Sequence, residues 1–299
     1  MTFNEGANLD TSQVVGGGKS GAVVGGGIGG LLLLLLVMFL GGNPLSGGTA
    51  STYDLNQVML GGTDGSDTSF AHCQTGADAN KDVTCRIVGT VNSVQNYWAV
   101  ALPQDVGREY REAKTVIYSG VTQSPCGRAS NATGPFYCPA DERVYIDAAF
   151  FDELESQFGA DGGNLAQMYV VAHEYGHHVQ NILGILAKGQ DGKSGPLSGG
   201  VRVELMADCF AGVWANHAAT TKDDAGNTLI EPLTANDIKS AMSAAAAVGD
   251  DHIQETLGGG RVNQDTWTHG SSQSRQRWFT TGYESGNLNS CNSFATNDL

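Results

Sequence analysis

The sequence predicts an α+β fold that is mainly helical, carries a small β-sheet and is preceded by one N-terminal transmembrane helix. Apolar residues recur at three- and four-residue steps in 164–184 and again in 201–214, which is typical of buried helices. Two short runs of β-branched and aromatic residues, 115–118 and 144–147, are strand candidates. Near the N-terminus, residues 21–40 carry no charge.

The uncharged stretch sets the division of the chain. We assign residues 1–20 to a short polar N-terminal tail, 21–42 to a transmembrane anchor, 43–80 to a stalk or entry segment rich in Gly, Ser and Thr, and 81–299 to one globular domain. About twenty residues at about 1.5 Å each span a hydrocarbon core of ~30 Å. A cleaved signal peptide is the alternative, but no Ala-x-Ala site follows the apolar run, which favours an uncleaved anchor.

The chain is strongly acidic. Its 31 Asp and Glu residues outnumber 16 Lys and Arg residues, which gives a formal net charge of -15. A surface of this sign is repelled by nucleic acid and by anionic membrane surfaces. We therefore expect no nucleic-acid partner.

The six cysteines indicate the compartment. They form no CxxC pairs of the kind that hold zinc, and an even number in loop-like stretches is typical of disulfides. Disulfides persist in oxidising compartments, so we expect the globular domain to lie outside the cytoplasm. The predicted pairing, one of several that the cysteines allow, is Cys73 with Cys85, Cys126 with Cys138, and Cys209 with Cys291.

The segment His173-Glu174-Tyr175-Gly176-His177 is the centre of the longer apolar stretch. In a helix, side chains four residues apart project from the same face, so both imidazoles can reach one metal ion. This is the HExxH pattern, in which zinc takes the two histidines and Glu174 serves as general base. We predict the helix from Asn164, as N-cap, to Gly184, as the left-handed residue after the last turn. The alternative is a helix with two polar core histidines.

A third ligand would separate these alternatives. The metzincin pattern requires Gly at position 180 and His at 183, where this chain has Gln180 and Leu183. In 201–214, however, Glu204 and Asp208 stand one helical turn apart. Glu204 can complete a His₂Glu zinc site with an open position, and Asp208 can orient a ligand imidazole. Alternatively, Glu204 is exposed and Asp208 pairs with an arginine.

Three further elements are predicted around these helices. A helix over 91–98 packs on the core, and a capped, alanine-rich helix runs from Thr234 to about Gly249 before a loop at 250–252. A last helix covers 271–281 and ends at Gly282.

His269 precedes this last helix and is the candidate donor to a developing oxyanion. Tyr175, or an arginine on the last helix, would lie behind it. The alternative for His269 is a solvated histidine at a helix start.

These segments resemble the membrane-anchored neutral zinc metallopeptidases of bacteria, a group with a gluzincin-like signature. The resemblance covers the chain from the Leu-rich run onward and is carried by residues 173–181, 204–215, 136–141, 144–147, 269–272 and 277–279. It implies a zincin-like domain with a small sheet beside the HExxH helix. It also implies an exposed strand edge on which an extended peptide can lie.

The sequence thus favours a zinc-dependent endopeptidase that binds peptide or protein substrates. Its Zn²⁺ is held by His173, His177 and Glu204, while Glu174 and His269 are the catalytic candidates. The expected location is the membrane, crossed once by the N-terminal helix, with the domain outside the cytoplasm. Two alternatives are a catalytically silent, zinc-bound envelope scaffold or binding module, and a zinc amidase that acts on cell-wall peptide.

Overall fold

The computed structural model describes residues 2–17, 70–130 and 133–299. It has the mixed, mainly helical architecture that the sequence predicts. The strands are β1 (Val14–Gly16), β2 (Thr115–Tyr118), β3 (Val121–Ser124), β4 (Gly127–Ser130), β5 (Phe136–Cys138) and β6 (Arg143–Asp147). The helices are α1 (Gly76–Lys81), α2 (Val83–Val106), α3 (Phe150–Ser156), α4 (Asn164–Ile182), α5 (Gly199–His217), α6 (Ala235–Ala247), α7 (Asp250–Thr256) and α8 (Ser272–Ser285).

The predicted membrane anchor, 21–42, lies outside the described residues. Within those residues, every helix is too short or too polar to cross a bilayer.

Helix α4 is the centre of the helical layer, where it packs against α2, α5 and α6. Its apolar residues recur every three to four positions and are buried, as the sequence pattern requires. The predicted N-cap is off by one residue: Gly163 is the cap, in extended conformation, and Asn164 is the first helical residue. Gly184 adopts a φ of 70° after the last turn, as predicted.

Helices α5 and α8 cross with their backbones in contact. A Cβ atom on Gly282 would overlap the carbonyl oxygen of Cys209, and one on Gly212 would overlap that of Phe279. Gly282 therefore allows the two helices to approach closely where they cross, and the prediction that it ends the last helix is wrong. The helix continues for another turn to Gly286, which has a φ of 57°.

A four-stranded sheet, in the order β1-β2-β6-β5, lies beside α4. Strands β1, β2 and β6 run parallel, and β5 is antiparallel to β6 at the edge. The predicted strands 115–118 and 144–147 are the two in the middle. Strands β3 and β4 form a separate hairpin.

Residues 2–17 do not form the polar tail that the sequence suggested. Phe3, Leu9 and Val14 are buried in the main core, and β1 pairs with β2 in register Val14–Thr115. The segment escaped the sequence analysis because its few apolar residues are scattered among polar ones. Its pairing partner lies about 100 residues away.

The domain also begins earlier than residue 81, inside the predicted stalk. Helix α1 is packed against α2, and buried Cys73 is bonded to Cys85. Helix α2 is longer than the predicted 91–98, because the Asp82 side chain accepts a hydrogen bond from the Cys85 amide and caps an earlier start. The other two predicted disulfides, Cys126–Cys138 and Cys209–Cys291, are confirmed.

Helix α6 begins at the predicted capping box, formed by Thr234 and Asp237. The loop predicted at 250–252 is instead the start of α7, whose first residue, Asp250, is 1% exposed. This correction matters for the site, because Asp250 holds the segment around His269.

Candidate metal centre

The structure brings the three predicted ligands together. One ligand atom from each of His173, His177 and Glu204 lies within 4.8 Å of the other two. Helix α4 supplies both imidazoles from one face, and the neighbouring α5 supplies the carboxylate. All three residues are buried, and Glu204 is 4% exposed. The alternative in which Glu204 is an exposed carboxylate is therefore wrong.

Each imidazole is fixed through its Nδ1 atom. The Nδ1 of His173 lies 2.8 Å from Oδ1 of Asp208, and that of His177 lies 2.9 Å from Oε1 of Gln180. The amide nitrogen of Gln180 donates to the Val203 carbonyl at 2.7 Å, so its oxygen must face the imidazole. Both Nδ1 atoms therefore donate, which leaves both Nε2 atoms available as ligands.

The two Nε2 atoms face the same carboxylate. That of His173 lies 3.1 Å from one Glu204 oxygen, and that of His177 lies 3.4 Å from the other. Two neutral imidazoles and one carboxylate with a fourth position open are a zinc ligand set of the catalytic type.

The surrounding charges also fit a divalent cation. Three buried carboxylates, Glu174, Glu204 and Asp208, share one buried guanidinium, that of Arg275. Buried charges are costly unless they are paired, and a divalent cation would balance the two that remain. Burial alone would lower the pKa of His173, but Asp208 and Glu204 outweigh it and raise this pKa to about 10. The surroundings of this imidazole therefore favour positive charge.

Glu174 lines the same cavity as the three ligand candidates. Burial is the main cause that raises the pKa of its carboxyl above the ordinary value. A carboxylate whose pKa moves towards neutrality is a better proton acceptor at physiological pH, as a general base requires.

Asp208 combines the two roles that the sequence left as alternatives. It bonds His173, and it also accepts two hydrogen bonds from Arg275, each of 2.9 Å, one from Nε and one from a terminal nitrogen. The Tyr169 hydroxyl donates a further bond to the same carboxylate. Arg275 on α8 is the arginine of the last helix that was expected near the site, and it is also the arginine partner that the alternative gave to Asp208.

His269 lies in the cavity wall with its side chain 15% exposed, so it is not a solvated histidine. Its Nδ1 is 3.2 Å from Oδ1 of Asp250. The other oxygen of Asp250 accepts the backbone N–H groups of Thr268, His269 and Gly270 at 2.7, 2.7 and 2.9 Å. Burial would lower the pKa of His269, but Asp250 outweighs it and raises this pKa. With Nδ1 bonded to Asp250, Nε2 is a donor when the ring is protonated, and the raised pKa favours that form.

Tyr175, the other residue suggested behind His269, is not in the site. Its hydroxyl lies 2.9 Å from Oγ1 of Thr115 and donates to the carbonyl of Ala113 at 3.1 Å. It therefore joins α4 to the sheet.

The cavity above the candidate centre has a volume of about 110 Å³. The groups just described line this cavity. It is also lined by six apolar residues, which together form its apolar wall: Phe136, Phe150, Phe158, Val170, Val248 and Ile253.

A second group of possible ligand atoms among the described residues is formed by His72, Cys73, Asp82 and Cys85. Its two cysteines are joined in a disulfide, so neither offers the thiolate that a zinc site needs.

The family model described as "Putative neutral zinc metallopeptidase" matches residues 4–294. The uncharacterized proteins Rv2575 of Mycobacterium tuberculosis and Mb2605 of Mycobacterium bovis are each 51% identical to the chain over 305 residues, which covers 100% of both sequences. The uncharacterized protein YpfJ of Escherichia coli is 42% identical over 198 residues, 64% of each chain. No solved structure gives a significant match. With a family model that spans nearly its whole length, the chain belongs to the neutral zinc metallopeptidase family.

Proposed function

We propose that this protein is a zinc-dependent endopeptidase that works outside the cytoplasm. One observation carries the proposal: the two HExxH imidazoles and Glu204 converge with both Nδ1 atoms already bonded, so only Nε2 atoms face the common point. Zinc bound there would polarise a substrate carbonyl and make water more acidic.

In this mechanism Glu174 accepts a proton from the attacking water and later passes it to the leaving amine. His269 donates a hydrogen bond from Nε2 to the oxygen that becomes negative, and Asp250 holds the ring in that orientation. Arg275 acts through Asp208, which it keeps ionised and aligned with His173. These residues come from four helices and the loop before α8, and all of them except the half-buried His269 are buried, so little reorganisation is required during the reaction.

We place an extended peptide substrate along strand β5. This strand is the last of the sheet, packs beside α4, and contributes Phe136 to the cavity. A substrate backbone paired with this edge would pass the candidate metal centre. Three disulfides support an oxidising compartment. Membrane attachment through residues 21–42 stays a prediction.

The experiment is a comparison of Glu174→Gln with the wild-type protein, both of full length. The variant should bind zinc as the wild type does, because Glu174 is not among the ligand candidates. Its rate of peptide cleavage should fall by about 10²- to 10⁴-fold, the usual contribution of a general base. Zinc is measured by elemental analysis and cleavage with a mixed peptide library. Glu109→Gln, at an exposed position, is the control.

Unchanged turnover in Glu174→Gln would refute the mechanism. A wild-type protein that binds zinc but cuts no peptide would favour the scaffold, and one that cuts only cell-wall peptide would favour the amidase. Glu204→Ala tests the ligand set separately. It should weaken zinc binding by more than the about 10- to 100-fold typical of a residue that only orients a ligand.

A further inference from the structure

The apolar wall of the cavity is built into the core next to the candidate catalytic groups. Val170 lies on α4, three residues before His173 and four before Glu174, so it shares their helix face. Phe136 belongs to the edge strand β5, and Ile253 lies on α7. Because these three residues sit in regular elements, this part of the wall exists before any substrate binds.

This wall offers no charged partner. Two charged groups in the same cavity already have partners within the protein: Arg275 is bonded twice to Asp208, and His269 is bonded to Asp250. The carboxylates of Glu174 and Glu204 belong to the proposed reaction site. A charged substrate side chain placed against the wall would lose its hydration and gain no opposite charge.

The size of the cavity suits one large apolar side chain. Its volume is about 110 Å³. An apolar protein cavity of roughly 150 Å³ takes up one benzene molecule. A Leu, Met or Phe side chain is of this order of size, whereas Gly or Ala would leave most of the wall uncovered.

We infer that the wall formed by Phe136, Phe150, Phe158, Val170, Val248 and Ile253 is a specificity pocket that selects peptides with a large apolar residue beside the bond that is cut. The inference rests on the proposed peptidase function. It assigns the pocket to Leu, Met or Phe and excludes Asp, Glu, Lys and Arg.

The first test uses the full-length, zinc-loaded protein and a set of quenched fluorescent peptides that differ at one position. Cleavage should be at least about tenfold faster, as kcat/KM, when Leu, Met or Phe flanks the bond than when Gly, Asp or Lys does. A flat profile, or a preference for a charged residue, overturns the inference while leaving the peptidase function intact.

The second test uses a substitution that makes the pocket smaller. Val248 is half-buried in the wall, so Val248→Phe would fill part of the cavity from its edge. The variant should lose at least about tenfold in kcat/KM for a Phe peptide and change less for a Val or Ala peptide. Val262→Phe, at a residue 40% exposed and outside the cavity, should keep the wild-type profile. An equal loss for all peptides in correctly folded Val248→Phe would contradict a role in selection.

Binding without turnover separates this inference from the proposed function. Full-length Glu174→Gln is titrated by calorimetry with two peptides that differ only by Phe or Asp at the variable position. The Phe peptide should bind at least about tenfold more tightly, because the free energy gained by burying a Phe side chain corresponds to a change in affinity of at least this size. Equal affinities would overturn the pocket assignment, even if the wild-type protein proves to be a peptidase. A strong Phe preference without wild-type cleavage would retain the pocket and refute the enzyme.

Discussion

Two residues outside the HExxH pattern decide which nitrogen each histidine presents. Asp208 orients His173, and Gln180 orients His177. The two supports differ in charge: one is a carboxylate paired with Arg275, and the other is a neutral amide tied to the Val203 carbonyl. The loss of the amide leaves no buried charge unpaired, so Gln180 is the cleaner position at which to test orientation.

We expect Gln180→Ala to weaken zinc binding by about 10- to 100-fold while the fold persists, because the His177 imidazole loses the acceptor that fixes its tautomer. Zinc affinity is measured by competition with a fluorescent chelator, and folding by circular dichroism. Asn181→Ala is the matched control, since this neighbouring amide bonds Tyr137 and Glu142 away from the centre. Equal zinc affinity in Gln180→Ala and the wild type would contradict the role of Gln180.

At this scale, sequence spacing predicts contacts within one helix better than contacts between helices. The convergence of His173 and His177 follows from a four-residue step. Gln180, three residues after His177, was open to the same argument and was missed. The bond between Asp250 and His269 could not be found by this argument. The two residues are far apart in sequence, and Asp250 begins a short helix that was predicted as a loop.

The crossing of α5 and α8 joins two elements that both carry site residues, Glu204 and Arg275. Gly212 and Gly282 let the backbones touch, and the Cys209–Cys291 disulfide links α5 to the chain just after α8. A short distance between the axes brings Arg275 within reach of Asp208. The geometry of the site thus depends on two positions that carry no side chain.

Gly282→Ala should lower the free energy of unfolding by about 1–3 kcal/mol, because the new methyl group overlaps the Cys209 carbonyl oxygen. At an unconstrained helical position the same change would be stabilising by roughly 0.5–1 kcal/mol. Gly200→Ala on α5 provides that comparison, since a Cβ atom there meets nothing closer than 3.6 Å. Urea unfolding measures both, and a Gly282→Ala protein as stable as Gly200→Ala would show that the crossing is not tight.

The sequence gives the same signal for a glycine that ends a helix and one that packs it closely. Gly184 was interpreted correctly as an end and Gly282 incorrectly, although each follows an amphipathic run. The difference lies in what faces the residue from another helix. Helix existence was therefore predictable from local periodicity, whereas this boundary was set by tertiary packing.

At the level of the whole molecule, residues 2–17 are attached to the domain through backbone and side-chain bonds. The Asn8 amide donates to the Asp223 carboxylate at 2.9 Å, and the Asp10 amide donates to the Asn92 side chain at 2.9 Å. Burial would raise the pKa of Asp223, but hydrogen bonds from Asn8 and Asn227 outweigh it and lower this pKa.

A group whose pKa is lowered by folding stabilises the protein above its unfolded pKa, and this contribution disappears as the pH falls through the folded value. Asp223→Ala should therefore reduce stability at pH 7, by about 1–3 kcal/mol for a lost buried acceptor. The deficit should shrink as the pH is lowered below about 4, the ordinary range of an Asp carboxyl. Urea unfolding at a series of pH values measures it.

Asp224→Ala, at the exposed neighbouring position, should be nearly neutral throughout that range. Hydrogen exchange of the backbone amides in residues 2–17 measures how firmly this segment is attached to the domain. Exchange should become faster in Asp223→Ala and stay unchanged in Asp224→Ala. A deficit that stays constant down to pH 3 would show that the carboxylate charge is not what holds the segment.

Strand β1 also constrains where the protein can reside. Residues 2–17 and 70–299 share one hydrophobic interior and one hydrogen-bonded sheet, so they fold in the same aqueous compartment. Because both parts contribute to one interior, the folded domain requires residues 2–17 and 70–299 on the same face of any lipid. Attachment through residues 21–42 stays a prediction that has to meet this condition.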